Sequence, residues 1–154
     1  MNWARVQPCI DLSVRQLCCN PYPLHKHGCP NYGEKHGCPP TALFLPQLLD
    51  LEFPVWVIWN VFDFKGYCRK MKHRHPSWSK RQVRNCLYWQ PTERKRLRET
   101  IVKEYLTIHP KHTIVWCPEA CGVNVTETMR RIGHHLEWPP KMKVYQVVLA
   151  GVAK

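Results

Sequence analysis

The chain has 154 residues, 44% of them hydrophobic, with 14 prolines, seven tryptophans and nine cysteines. That length suits one domain with its own core rather than two, and the apolar fraction excludes a largely disordered chain. A net charge of +12, from 23 Lys and Arg against 11 Asp and Glu, points to a polyanion, to an acidic partner or simply to solubility.

The first residues, Met1 to Gln7, lack the apolar run of a secretory signal. The longest apolar stretch, Leu43 to Phe62, is interrupted by Pro46, Asp50, Glu52 and Pro54 and makes a poor membrane span. The expectation is a cytoplasmic protein without a membrane partner. In a reducing compartment an odd set of cysteines reads as ligands, nucleophiles or core residues before it reads as disulfides.

Residues 1–24 form a Cys- and Pro-rich segment with Cys9, Cys18 and Cys19, and Asp11 is placed to cap a short helix through Leu17. Cys18 and Cys19 are adjacent, so only one of them should face a given site. Leu24-His25-Lys26-His27-Gly28 then leads into the loop Cys29 to Pro40. After it, Thr41 to Asp50 reads as a short helix with Pro46 in its first turn. Val55 to Phe62 is β-branched and aromatic with no polar alternation before Asn60, the pattern of a central strand covered on both faces. Asp63 to Gly66 ends it.

A basic region follows, with 13 Lys and Arg and only Glu93 and Glu99 between Lys65 and Lys103. Ser79-Lys80-Arg81-Gln82 has the form of a capping box, and its helix should run to Gln90 before Pro91, with Val83 and Leu87 on the apolar face and Cys86 in the core beside them. Thr92 should cap a second helix through His109, with Leu97, Ile101, Tyr105 and Ile108 along one side. Thr113 to Trp116 is a short strand, Asn124 should cap a helix ending at Gly133, and Val144 to Ala150 is the last strand. The order implies a compact α+β or α/β domain, one unit over residues 1–154, with a small mixed sheet, flanking helices and Cys-Pro loops at strand ends.

Clustered Lys and Arg release counterions on contacting phosphates, which makes RNA or DNA the leading partner of the basic region, with an acidic redox protein as the other. The candidate contacts are Arg69, Lys70, Lys72, Arg74, Lys80, Arg81, Arg84, Arg94, Lys95 and Arg98. Trp78, Tyr88 and Trp89 supply aromatic faces within that stretch, as core residues or as stacking platforms.

Three Cys-Pro pairs carry the other chemistry. Cys29 and Cys38 stand nine residues apart, each followed by proline, with Gly33 and Gly37 between them. Proline stiffens the backbone beside each thiol and glycine lets the loop fold tightly, which is what a metal ion or an iron–sulfur cluster asks of a ligand loop. Cys117-Pro118 repeats the pairing, and Cys121 follows before a helix start, where the helix dipole should favour a thiolate. Cys29, Cys38, Cys117 and Cys121 are thus the first set of four, with Cys18, Cys19, His25, His27 and His36 as further ligands. No C-x-x-C occurs, so neither a zinc-finger nor a bacterial ferredoxin spacing is present.

At Cys29-Pro30-Asn31-Tyr32-Gly33, Cys38-Pro39-Pro40 and Glu119-Ala120-Cys121-Gly122-Val123-Asn124-Val125, the chain resembles an uncharacterised bacterial and archaeal family described as predicted metal-binding proteins. The resemblance covers about residues 25–60 and 112–150. It implies a cysteine-bound centre, an iron–sulfur cluster first of all, with no established reaction. Family members carry a further cysteine three or four residues before the one matching Cys29, where this chain has Lys26 and His25; Cys18, Cys19 or His25 would substitute.

Two readings follow. The first is a [4Fe–4S] protein that binds or acts on nucleic acid. The second is a zinc-stabilised, non-catalytic nucleic-acid-binding module. A cysteine enzyme with Cys121 as nucleophile and His134 or His135 as base ranks below both, because no third group orients the base.

Overall fold

The computed structural model describes residues 1–22 and 25–154; Pro23 and Leu24, which the sequence puts at the approach to the Cys29 loop, lie outside the described residues. Four strands, β1 (Trp3–Val6), β2 (Val55–Asp63), β3 (Thr113–Val115) and β4 (Lys143–Gly151), form one sheet in the order β1-β2-β4-β3. The α+β class is as expected. All three pairings are antiparallel rather than mixed, because the last strand returns between β2 and β3 and runs against both.

β2 lies inside the sheet, paired from Val55 to Ile58 with β1 and from Trp56 to Asp63 with β4. Its lack of polar alternation has a direct cause, since both faces are covered. Val55, Val57 and Trp59 pack on one side with Leu149, Leu45, Leu49, Cys121, Val123, Val125 and Met129. Ile58 packs on the other with Val148, Ala150, Leu97, Val102 and Tyr105. Asn60 on this second face is fully buried, and its amide donates to the Glu93 carbonyl at 2.9 Å and to the Glu93 carboxylate at 3.2 Å. The same carboxylate pairs with Arg96 at 3.0 Å, so a polar pin joins the helical layer to the sheet.

Leu149 has no exposed surface and faces Val57 and Val115 across the two ladders. Leu149→Ala is expected to cost about 2–5 kcal/mol, transfer plus cavity, read as a lower denaturant midpoint with an unchanged slope.

Local signals set most helix starts. Asp11 accepts from the Ser13 amide at 3.0 Å and opens a 3-10 turn over Leu12–Cys19. Helix α1 is only Leu45–Leu48, with Pro46 in its first turn. Helix α2 (Phe64–Arg74) begins where Asp63 leaves the sheet and accepts from the Gly66 amide at 2.9 Å. In α3 (Lys80–Arg84) the capping box forms in both directions, Gln82 N to Ser79 Oγ and Ser79 N to Gln82 Oε1. This helix ends at Arg84, well short of Gln90. Asn85 then accepts from the Leu87 amide at 3.0 Å and starts a new 3-10 turn, Cys86–Tyr88, and this change of direction exposes Cys86 instead of burying it. Helix α4 (Gln90–Arg96) has Pro91 in its first turn and continues through a π turn, Leu97–Val102, into α5 (Lys103–Ile108). Asn124 caps α6 (Val125–Arg130) by accepting from the Glu127 amide at 2.9 Å.

No helix among the described residues is long and apolar enough to cross a membrane.

Candidate metal centre

The Cys-rich segments are laced together by backbone bonds rather than by secondary structure. The N-terminal segment runs along the loop after Cys117: Asp11 N donates to Gly122 O at 2.8 Å, Asn124 N to Cys9 O at 2.8 Å, and Cys9 N to Thr128 Oγ1 at 2.9 Å. The Cys29 loop is hung from the same segment, because Cys29 N donates to Cys18 O at 2.7 Å. Within that loop Gly33 N donates to Pro39 O at 2.9 Å and Cys38 N to Lys35 O at 3.0 Å. Arg15 locks the far end, with its guanidinium donating to Pro40 O at 2.8 Å and Ala42 O at 3.0 Å while lying over the Phe44 ring at 4.3 Å.

This lacing gathers thiols from three separate segments. Burial pushes the Cys18 thiol up, and Cys29, Cys38, Cys19 and Glu119 push it further, in that order. Cys117 is pushed up to about 11, by burial first, then Glu119, with Cys38 and Cys121 adding and the Ala120 amide opposing. Cys117 and Glu119 both present surface to solvent yet are ringed by protein, and burial raises the Glu119 carboxyl as well. Cys38 thus acts on both Cys18 and Cys117, as Glu119 does, while Cys29 and Cys19 act on Cys18 and Cys121 acts on Cys117. Among the described residues, no three Cys, His, Asp or Glu side chains stand close enough together to hold a single ion.

The remaining candidates go elsewhere. Cys19, next to Cys18, faces outward, where its hydrogen bond raises the Tyr32 hydroxyl and where Arg15, Gln16, Tyr32, Pro39 and Pro40 line a shallow pocket of about 230 Å³. Cys121 is buried within the apolar cluster of Val123, Val125 and Met129, and burial pushes its thiol up against the opposing charge of Arg15. The dipole-stabilised thiolate expected there is absent for a structural reason: Cys121 closes a 3-10 turn, and α6 starts only after Asn124. His134, the base considered for Cys121, lies against Trp59 and Tyr145. His25 lies against Tyr22 with ring centroids 4.6 Å apart and planes tilted by 38°, and His27 and His36 are exposed. The Tyr22 hydroxyl is itself raised, by burial first and then by Cys29 and Cys86.

The ten basic candidates are all exposed, but they are not equally free. Arg84 donates to Pro140 O at 2.6 Å and lies over Phe64, and Lys72 donates to the carbonyls of Pro76 and Trp78 at 2.6 and 2.7 Å. Lys95 pairs loosely with Glu99 at 3.8 Å. Arg69, Lys70, Arg74, Lys80, Arg81, Arg94 and Arg98 extend from the surface of the helical layer. Trp89 is a core residue, stacked on Phe62 with centroids 4.8 Å apart, whereas Trp78 and Tyr88 are not buried.

A raised thiol pKa has a measurable consequence. Below pH 9 the Cys117 thiolate of the metal-free protein is about a hundredfold scarcer than that of a thiol at the ordinary 9.0, and the greater nucleophilicity of a more basic thiolate recovers about tenfold. Alkylation of Cys117 should then run about tenfold slower than that of an exposed peptide thiol. Because the folded pKa exceeds the unfolded one, Cys117 contributes stability below pH 9 that is lost as the pH rises from about 9 to about 11. That part of the alkaline loss should disappear in Cys117→Ala, as followed by unfolding midpoints across this range.

No protein-family model matches the chain, and neither a curated protein nor a solved structure is similar to it. Its class is defined by its own geometry: an α+β protein built on a four-stranded antiparallel sheet. The particular features of this member are a thiol-bearing loop layer tied to one face of the sheet and a basic helical layer over the other.

Proposed function

We propose that this protein holds a [4Fe–4S] cluster on Cys18, Cys29, Cys38 and Cys117 and binds nucleic acid through its basic helical layer. One observation carries the metal half: the 2.7 Å bond from Cys29 N to Cys18 O seats those two cysteines side by side, and Cys38 acts on both Cys18 and Cys117. Burial first, and neighbouring acidic groups second, raise the Cys18 and Cys117 thiols, and a bound metal centre is an occupant that takes them as thiolates directly. The donor set, four sulfurs on proline-stiffened loops, has the chemistry of a cluster site.

A cluster and a zinc ion ask different things of four thiols. Zinc draws four sulfurs to about 2.3 Å from one point, whereas a cubane takes each thiolate on a different iron and spreads its ligands around a larger body. Metal and sulfide analysis separates the two occupants. A cluster with four thiolate ligands transfers an electron, and one with three leaves an iron open to act as a Lewis acid. The chain's own part is to hold and shield: Pro30, Pro39 and Pro118 stiffen the ligand loops, and Arg15 anchors the turn after Cys38 while bringing positive charge to an anionic centre.

The test is anaerobic purification followed by iron, sulfide and zinc analysis with an absorption spectrum. About four iron and four sulfide per chain in a brown protein is the expected result. A colourless, metal-free protein overturns the reading, and one zinc without sulfide replaces it with the zinc-stabilised binding module.

A further inference from the structure

The stretch Phe64 to Tyr88 holds eight Lys and Arg and no Asp or Glu. In its middle an aromatic ladder forms. His75 and Trp78 stack with centroids 4.0 Å apart and planes at 10°, and Trp78 and Tyr88 stack at 5.2 Å and 27°. Tyr88 ends the ladder with 55% of its surface exposed, although the next residue, Trp89, is buried.

We propose that the Tyr88 end of this ladder is a stacking platform for an unpaired base, so that the basic layer is a surface for single-stranded nucleic acid. The inference deepens the nucleic-acid half of the proposed function and does not depend on the metal half.

Three features support it. An exposed tyrosine that merely filled a surface would not need a stacked tryptophan and histidine behind it; here the ring is held in advance, which lowers the entropy cost of binding. The turns that carry the ladder are rigid. Lys72 donates to Pro76 O and Trp78 O, the Ser79 box closes the start of α3, and Asn85 fixes the turn that bears Tyr88. Charge then selects the partner. Lys80 and Arg81 are exposed one short helix before Tyr88, and a backbone phosphate flanking a stacked base is the complementary group. A duplex offers no free base face except at its ends, so stacking on Tyr88 discriminates strands from duplexes.

The full chain is titrated with labelled oligo(dT), oligo(U), an abasic strand of the same length and a duplex, at low and raised salt. The open strands should bind tighter than the abasic strand or the duplex, and the oligo(dT) and oligo(U) arms tell DNA from RNA. Tyr88→Ala should weaken open-strand binding about tenfold while lowering the thermal midpoint by only a few degrees through the lost Trp78 stack, and Tyr88→Phe should stay within about twofold in binding. The double variant Lys80→Ala/Arg81→Ala should lower the salt slope by about 1.4, two contacts at about 0.7 each. Equal affinity for strand, abasic strand and duplex, or an unaffected Tyr88→Ala, overturns the platform and leaves the basic surface as a plain phosphate binder. No binding to any of them overturns both, and points to an acidic protein as the partner.

Discussion

Cys38→Ser is expected to weaken retention of the centre at least about tenfold, read as loss of iron and sulfide during purification, since losing a ligand should cost no less than the 10- to 100-fold in affinity lost with a group that only supports one. Cys38 is the strongest choice because it is the one thiol that acts on both Cys18 and Cys117. The substitution should not unfold its loop. Cys38 N donates to Lys35 O at 3.0 Å, Cys38 O accepts from Ala42 N at 3.0 Å and from Thr41 Oγ1 at 3.3 Å, and none of these bonds uses the sulfur. Cys19→Ser is the paired control. Its thiol faces Tyr32 and the outer pocket, so its loss should leave iron and sulfide near the unmodified level. A Cys38→Ser protein that stays fully loaded, or a Cys19→Ser protein stripped as thoroughly, would remove the proposed ligand set.

The contrast between Cys18 and Cys121 shows how much of the site the sequence carries. The stiff Cys29 and Cys38 loops are local chemistry, written in Cys-Pro and in the intervening glycines, and they were legible. So were the caps at Asp11, Ser79 and Asn124, each of which forms the bond its residue type implies. Which thiol completes the set is decided by long-range bonds that no spacing records. Cys29 N binding Cys18 O draws Cys18 inward, and packing of Val123 and Met129 against the sheet draws Cys121 into the core. The same distinction explains the missed elements. β1 is four residues long and shows no period of its own until it pairs with β2. α2 buries only Phe64, so its sequence reads as charge rather than as an amphipathic stripe, although Asp63 capping Gly66 marked its start. Tyr88 and Trp89 are neighbours of equal aromatic character, and only the turn set by Asn85 decides which one faces water.

Gly28→Ala should be strongly destabilising, and it tests the lacing itself. Gly28 is buried with φ at +85°, where any other residue is strained, and a Cβ would lie 2.5 Å from Cys18 O, 2.8 Å from Cys19 C and 2.9 Å from Cys19 O. All three are backbone atoms, so no side chain can swing away. Relief requires the two segments to part, and parting breaks the 2.7 Å bond from Cys29 N to Cys18 O that brings those cysteines together. Left-handed strain and overpacking together put the cost at about 2–6 kcal/mol. Gly33 provides the comparison, since it has φ at +75° but nothing within 4 Å of its Cβ position. Gly33→Ala bears the strain alone, about 1–3 kcal/mol, and should keep its metal. The measurement is iron content and unfolding midpoint for both variants purified without oxygen. Loss of iron in Gly28→Ala with retention in Gly33→Ala ties the centre to the Cys18–Cys29 contact. Equal retention in both would mean that Cys18 and Cys29 need not be held side by side, and the centre would have to be sought on Cys29, Cys38 and Cys117 without Cys18.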